Sequence, residues 1–397
     1  MELQPKMGNR WWTNILLAGI STLICLLLSE GVVRLTGKFQ PRSGGLADIL
    51  IHDDTLGWRG IPNSTKIHVV GRTETEIKTN EIGYRDSPLS FAENPEDKKR
   101  ILFLGDSFCW GFGTPQDKRI SEWIESLDSR IESYNFGMFG YSTDQELLTL
   151  RMYGDKVQPD IVVLLFCIND LLTNDSDEGH RLPKPRFSLS ENGTLKLINI
   201  PVPRVSKSDK AINWLRGHSA LFNAAERTTL LIQEKLALKK QRQLAEKSDE
   251  YGRSETPVSK SDLQSGLLKR GFDGTGVTKY LLRDIQAECN RLGASFILLM
   301  VPSSMIWTQR HAETPPEAIL VLDWCRELGI HAFDLFPIFH ERYKQTGENL
   351  YVDDFQDRMH WNENGHKLAA EALYPHLMET LTNNGVESSP ELHSEEN

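Results

Sequence analysis

Cysteine is scarce in this sequence. There are five in 397 residues and no CxxC pair, which excludes a disulfide scaffold and offers no zinc-ribbon spacing. Positive charge is also short: 45 Lys plus Arg stand against 55 Asp plus Glu, a net charge of −10. That balance argues against nucleic acid as a partner, because phosphate contacts need a basic face. Internal repeats are absent, and His360 and His366 lack the i,i+4 spacing and third ligand of a metal site. Mean hydropathy is −0.39, too low for a chain that crosses a membrane many times. What is present, 39% hydrophobic, 25% charged and 9% aromatic residues, suffices for a packed core. The length fits one large domain with additions, or two domains.

One segment departs from the average. From Trp11 to Ser29 run nineteen uncharged residues, whose length as a helix nearly matches the ~30 Å hydrocarbon thickness of a bilayer. The Leu-Ser-Glu-Gly at its far end lacks the small-x-small pattern of a signal-peptide cleavage site, so the expectation is an uncleaved single-pass anchor over 11–29. Lys6 and Arg10 flank one side, and Arg34, Lys38 and Arg42 the other. A short N-terminal stub (1–10) ahead of a lone anchor points to the cytoplasm, which puts the rest of the chain outside it.

Residues 45–98 carry short alternating runs, such as Lys66 to Val70 and Thr75 to Lys78, bounded by Gly71 and Gly83; they read as a β-rich preface. From Arg100 the pattern changes to unbroken apolar runs that alternate with helical stretches, the signature of a parallel sheet covered on both faces. Strands are expected at 101–104, 131–136, 161–167, 295–301 and 330–335. Helices are expected at 120–127, 145–153, 279–292, 316–328 and 363–377. Together they imply a doubly wound α/β domain over 99–380. The gap between the third and fourth strands is too long for one crossover, so 172–270 reads as an insertion whose polar run 239–261 is mobile. Residues 383–397 read as a disordered acidic tail.

The first of these strands ends at Gly105-Asp106-Ser107, where α/β sheets place their ligands. A serine there is either a nucleophile or the cap of the next helix. The second strand leads into Asn135 through Gly140 to Ser142, and the third into Cys167-Ile168-Asn169-Asp170. Gly140 can offer a bare backbone N–H and Asn169 a side-chain amide. With the Ser107 N–H they make three donors for an oxyanion, although a glycine also serves as a simple turn residue. Near the end stands Asp357-Arg-Met-His360. A serine hydroxyl needs a base whose pKa lies near neutrality, which histidine supplies, and a carboxylate can orient that histidine. His366 reads as a structural or surface residue. Cys109 and Cys167 follow strands expected to be neighbours, so a disulfide and buried free thiols are both open.

These blocks, in this order, resemble the SGNH hydrolases, also called GDSL esterases and lipases. The resemblance spans Arg100 to Leu377, interrupted by the insertion. It implies a flavodoxin-like five-stranded parallel sheet, with Ser107 as nucleophile, His360 as base, Asp357 as its orienter, and Ser107, Gly140 and Asn169 around the oxyanion. It implies no cofactor. Where the family has glycine ahead of x-Asn-Asp, this chain has Cys167, whose side chain narrows the expected pocket wall. Asp53 to Asn63 and Asn80 to Asp86 look like the preface of membrane-anchored bacterial envelope members. The expected activity is hydrolysis of an acyl ester on a carbohydrate or lipid outside the cytoplasm. Transfer of the acyl group to an envelope polysaccharide, or glycan binding without catalysis, are the alternatives. Protein partners are left open.

Overall fold

Three of the apolar runs have no polar face at all, and they form the centre of a sheet buried on both sides. The computed structural model describes residues 10–37, 48–70, 73–89, 97–180, 182–229, 232, 275–303, 312–353 and 359–387. The chain divides into two units, Leu46–Val205 with Val258–Asn397, and Met1–Gly45 with Ser206–Pro257.

The larger unit opens with two hairpins, β1 (Leu50–Asp53) with β2 (Gly57–Gly60) and β3 (Thr65–Val70) with β4 (Thr73–Lys78). The strand β5 (Lys99–Gly105) follows, then β6 (Ile131–Asn135) and β7 (Ile161–Phe166). Two small hairpins come next, β8 (Glu178–Gly179) with β9 (Leu182–Pro183) and β10 (Arg186–Leu189) with β11 (Leu195–Ile198). The strands β12 (Ser295–Met300) and β13 (His331–Asp334) complete the main sheet. Its order is β13-β12-β7-β5-β6, all parallel. Counted along the chain this is 2-1-3-4-5, the flavodoxin-like order, whose switch point lies between β5 and β7.

The helix α1 (Arg10–Leu35) belongs to the smaller unit. Around the sheet are the short α2 (Ser107–Trp110), α3 (Ile120–Leu127), α4 (Thr143–Val157) and the short α5 (Asp170–Thr173). After α6 (Lys207–His218), again of the smaller unit, come α7 (Thr275–Leu292), α8 (Pro316–Leu328), α9 (Phe336–Thr346) and α10 (Glu363–Glu387). α3 packs on α10, and α4 on α7. Pro316 starts α8 at the one position where a missing N–H costs nothing, and Gly329 ends it in the left-handed region.

Two expectations need amending. α9 was not foreseen, because Pro337 interrupts an apolar stretch too short to show a period; proline is at home in a first turn. α10 runs to Glu387, into the stretch read as a tail. Gly71, the polar run 239–261 and residues 388–397 lie outside the described residues.

In the smaller unit, Trp11–Leu35 is long and apolar enough to cross a membrane. Near its end Glu30 accepts hydrogen bonds from the Ala220 and Leu221 N–H groups and the Ser219 hydroxyl, while Arg34 donates to Glu30 at 2.7 Å. The carboxylate thereby caps the helical stretch 220–229, satisfying N–H groups that have no partner within a helix.

Candidate active site

β5 leaves the sheet at Gly105, whose φ of +155° and 2.8 Å approach of a notional Cβ to the Cys109 Cβ admit only glycine. The chain then turns at once into α2. The cap of α2 is Asp106, whose carboxylate accepts the Phe108 N–H at 2.9 Å. The capping role weighed for Ser107 is therefore taken by its neighbour, and the Ser107 hydroxyl bonds instead to His360 Nε2 at 2.7 Å. Both residues are buried. The 253 residues that separate them in sequence are bridged by a small ladder. Tyr351 pairs with Trp361, the Val352 N–H donates to the His360 carbonyl, and the buried Trp361 ring donates to the Pro302 carbonyl. Phe108 and Phe112 lie 5.0 and 4.4 Å from the imidazole, centre to centre, and hold its plane. Asp357 lies outside the described residues.

Asn169, beyond the end of β7, donates from its Nδ2 to Asp106 at 2.9 Å. An amide nitrogen carries two N–H groups, so this bond orients the group and leaves one donor over. Burial raises the pKa of Asp106, while the Phe108 N–H and the Asn169 amide pull it back. Gly140 has φ +73°, and its N–H makes no hydrogen bond among the described residues. Ser107, Asn169 and Gly140 thus stand beyond the carboxyl ends of β5, β7 and β6, around the switch point.

Asn135 itself is not part of the reacting set. It is fully buried, donates to the Cys109 carbonyl and the Ser121 hydroxyl, and accepts from the Gly137 N–H, so it knits α2 to the loop after β6. His366 is buried against Trp361, and burial together with Arg119 and Arg85 drives its pKa down to about 3. It is a neutral structural residue, as expected. Cys109 and Cys167 are buried free thiols, and burial raises both pKa values.

Several residues around the site escaped sequence reasoning. Arg85, fully buried, donates to the carbonyls of Trp110, Gly111, Glu76 and Thr114, and so gathers the C-terminal end of α2 where carbonyls lack partners. Trp58 donates to the Phe139 carbonyl at 2.9 Å, and Tyr141 donates to the Trp58 carbonyl at 2.6 Å. The β1–β2 hairpin is thereby bonded to the loop that carries Gly140. From β3, His68 packs edge-on against Trp110 and Phe112. The one available signal was the density of Gly, Trp, Arg and Tyr in 56–60 and 80–86, rare company for a surface hairpin.

Behind α2 lies a buried acidic group: Asp144, Glu146 and Asp170, with Lys184 paired to Asp144. Glu146 has no hydrogen-bond partner for either carboxyl oxygen among the described residues. Desolvation, with Asp170 and Asp106 nearby, raises its pKa well above the carboxylate range. A separate pocket of about 340 Å³, lined by Pro337, Ile338, Glu341, Arg342, Gln345 and Leu368, lies between α9 and α10 and touches none of the residues above.

Fold and site together define a doubly wound α/β protein with a serine–histidine dyad at its switch point. No family model matches the chain, and no curated protein matches it. Among solved structures it is similar to a lipolytic protein of the G-D-S-L family from Veillonella parvula DSM 2008, at 12% identity over 70% of this chain and 97% of that one, with a TM-score of 0.35. It is likewise similar to the psychrotrophic esterase EstA from Pseudoalteromonas sp., at 12% identity over 72% and 100% of the chains and a TM-score of 0.36. An acetyl xylan esterase, AlAXEase, matches at 12% identity over 70% and 99%, with a TM-score of 0.36. Similarity this low leaves the chemistry to the chain's own atoms.

Proposed function

We propose that this protein is a serine ester hydrolase of SGNH type. The observation that carries the reading is the 2.7 Å bond between Ser107 Oγ and His360 Nε2 at the carboxyl end of a central strand. In this reading His360 takes the hydroxyl proton as Oγ attacks the ester carbonyl. Charge develops on the carbonyl oxygen, where the Ser107 N–H, the Gly140 N–H and the second Asn169 N–H receive it. The tetrahedral species collapses to an acyl-Ser107, and His360 returns the proton to the departing alcohol. Water, deprotonated by the same imidazole, then releases the acid. Asp357, three residues before His360, orients the ring and stabilises the imidazolium.

The substrate is an O-acyl carbohydrate or lipid outside the cytoplasm, with α1 as the membrane anchor. The depth of the dyad favours a second reading. Ser107 is 5% and His360 4% exposed, and a site so screened from water suits transfer of the acyl group to a polysaccharide hydroxyl as well.

The test uses the full chain in detergent, with aryl esters of increasing acyl length, beside Ser107→Ala. Turnover by the wild type and its loss in the variant support the reading, as does covalent labelling of Ser107 by an aryl phosphonate. Equal product release by both proteins overturns it. Faster acylation of an added glycan than of water selects transferase over hydrolase.

A further inference from the structure

His180 stands at the tip of the hairpin between β8 and β9, at φ +49°. The base of that hairpin is fixed by buried polar chemistry. The Lys184 ammonium, fully buried, donates to Asp144 and to the carbonyls of Thr173, Ser176 and Pro185. Gly57 packs against the Pro183 carbonyl so closely that a Cβ there would lie 2.5 Å from it. His180 is therefore held by a rigid support, although it belongs to the segment inserted between β7 and α7.

Its ring lies over the loop that carries Gly140. Its centre is 4.9 Å from that of Phe139, and a Cβ at Gly140 would meet its Cδ2 at 2.4 Å and its Nε2 at 3.1 Å. Glycine at 140 thus serves two ends: it adopts φ +73°, and it lets an imidazole close over the backbone. Asp106 and His360 are the titratable groups that face it. Ser107, His360, Phe112 and Phe139 are all buried, whereas His180 is exposed, and its ring nitrogens make no hydrogen bond among the described residues.

Of these groups, then, His180 alone lies over the Gly140 loop while exposed to solvent. An ester bound with its carbonyl against Gly140 must send its alcohol oxygen toward His360, which returns the proton. In the pose inferred below, the rest of the alcohol passes outward beside the exposed His180. Desolvation holds the imidazole pKa below its usual value, against the pull of Asp106. The neutral ring has one donor and one acceptor, and a hydroxyl group both accepts and donates.

We propose that His180 is a substrate-contacting specificity residue that hydrogen-bonds a free hydroxyl on the alcohol part of the ester, so that esters of polyhydroxy alcohols are preferred to those of plain alcohols. The inference rests on the hydrolase reading and narrows its substrate class.

The experiment compares 2,3-dihydroxypropyl and propyl esters of the acyl group that the full-length wild type turns over fastest. The two alcohols have the same carbon chain and differ in hydroxyls alone. Wild type is expected to favour the dihydroxypropyl ester in kcat/KM by roughly three- to tenfold, the worth of one hydrogen bond. His180→Phe keeps a ring and loses both nitrogens, and is expected to bring the ratio to about one. His180→Gln keeps a donor and an acceptor, and is expected to retain part of it. Labelling of Ser107 by the phosphonate in every variant reports an intact site. No preference in wild type, or an unchanged preference in His180→Phe, overturns the proposal while leaving the hydrolase reading standing. Absence of both labelling and turnover in wild type overturns that reading, and this inference with it.

Discussion

The carboxyl edge of the main sheet and the hairpins that surround it divide the work differently. At the edge, residues adjacent to strand ends carry the atoms that the proposed reaction uses: Ser107 two residues after β5 ends, Asn169 three after β7, Gly140 five after β6. Nothing there except the sheet is needed to bring them near one another. The hairpins and the loop after β4 contribute none of the atoms of the proposed acyl transfer, and instead hold the edge in shape. Arg85 gathers four carbonyls around the end of α2, Trp58 bonds the Gly140 loop, and Lys184 roots the hairpin that bears His180. Substitutions at the edge should therefore change rate and leave stability nearly intact, whereas those in the supporting segments should cost stability first and reach the rate only through the edge they hold, His180 with its proposed substrate contact excepted.

The largest effect is expected at the edge. Ser107→Ala should lower kcat by roughly 10⁴ to 10⁶, and Asn169→Ala by roughly 10² to 10³, the cost of one oxyanion donor. Thermal melts followed by circular dichroism should move by no more than a few degrees in Ser107→Ala. A melt that drops as far as that of the next variant breaks the division of labour.

Arg85→Met is the matching test in the supporting segments, in the loop that follows β4. It leaves the carbonyls of Trp110 and Thr114 buried and short of a donor, and leaves Gly111 with the Thr114 N–H alone, which should cost about 3–5 kcal/mol in urea unfolding. If the variant is as stable as wild type, the preface is not a structural part of the unit. Trp58→Phe is gentler. It removes one hydrogen bond to the Phe139 carbonyl, a loss of about 1–2 kcal/mol. The neighbouring Gly140 donor should loosen with it, so kcat should fall several-fold with KM little changed; steady-state kinetics on an aryl ester check both.

The same division explains what could be read from the sequence. The five strands of the main sheet are legible because central parallel strands are apolar on both faces, and β5, β7 and β12 have hardly a polar residue among them. Ser107, Gly140 and Asn169 are legible because the topology of such a sheet brings its strand ends together. His360 required the further knowledge that a serine needs a base, since no spacing rule joins residues 253 apart. Trp58 and Phe139 are 81 apart, and no periodicity records that Arg85 faces α2 rather than solvent. A hairpin of alternating polar and apolar residues looks alike whether its polar side meets water or another backbone. The stretch 172–270 shows in the sequence as an insertion without a role, and His180 within it becomes visible only from the space left by Gly140.

A last effect, read as a dependence on pH, falls between the two regions, at Glu146 on α4. Its carboxyl is buried without a partner among the described residues, beside Asp106 and Asp170. Its folded pKa lies well above the ordinary carboxylate value of 4.5. The unfolded chain therefore releases this proton first as pH rises, so it binds fewer protons than the folded one, and stability falls with pH from about 4.5 upward. Below that pH both states are protonated and the penalty vanishes. Glu146→Gln replaces the neutral acid with an isosteric amide that does not titrate. The melting temperature of the variant minus that of wild type should accordingly be near zero or negative at pH 4 and grow steadily toward pH 8, by roughly 2–4 °C for each kcal/mol relieved. A difference that stays flat across this range means that Glu146 ionises in the folded protein, and the acidic group behind α2 then carries a charge beside Asp106 that would pull on His360. Since the variant changes no hydrogen bond to the dyad, an accompanying shift in the pH dependence of kcat/KM would show that charge directly, and would move Glu146 from the supporting structure to the reactive edge.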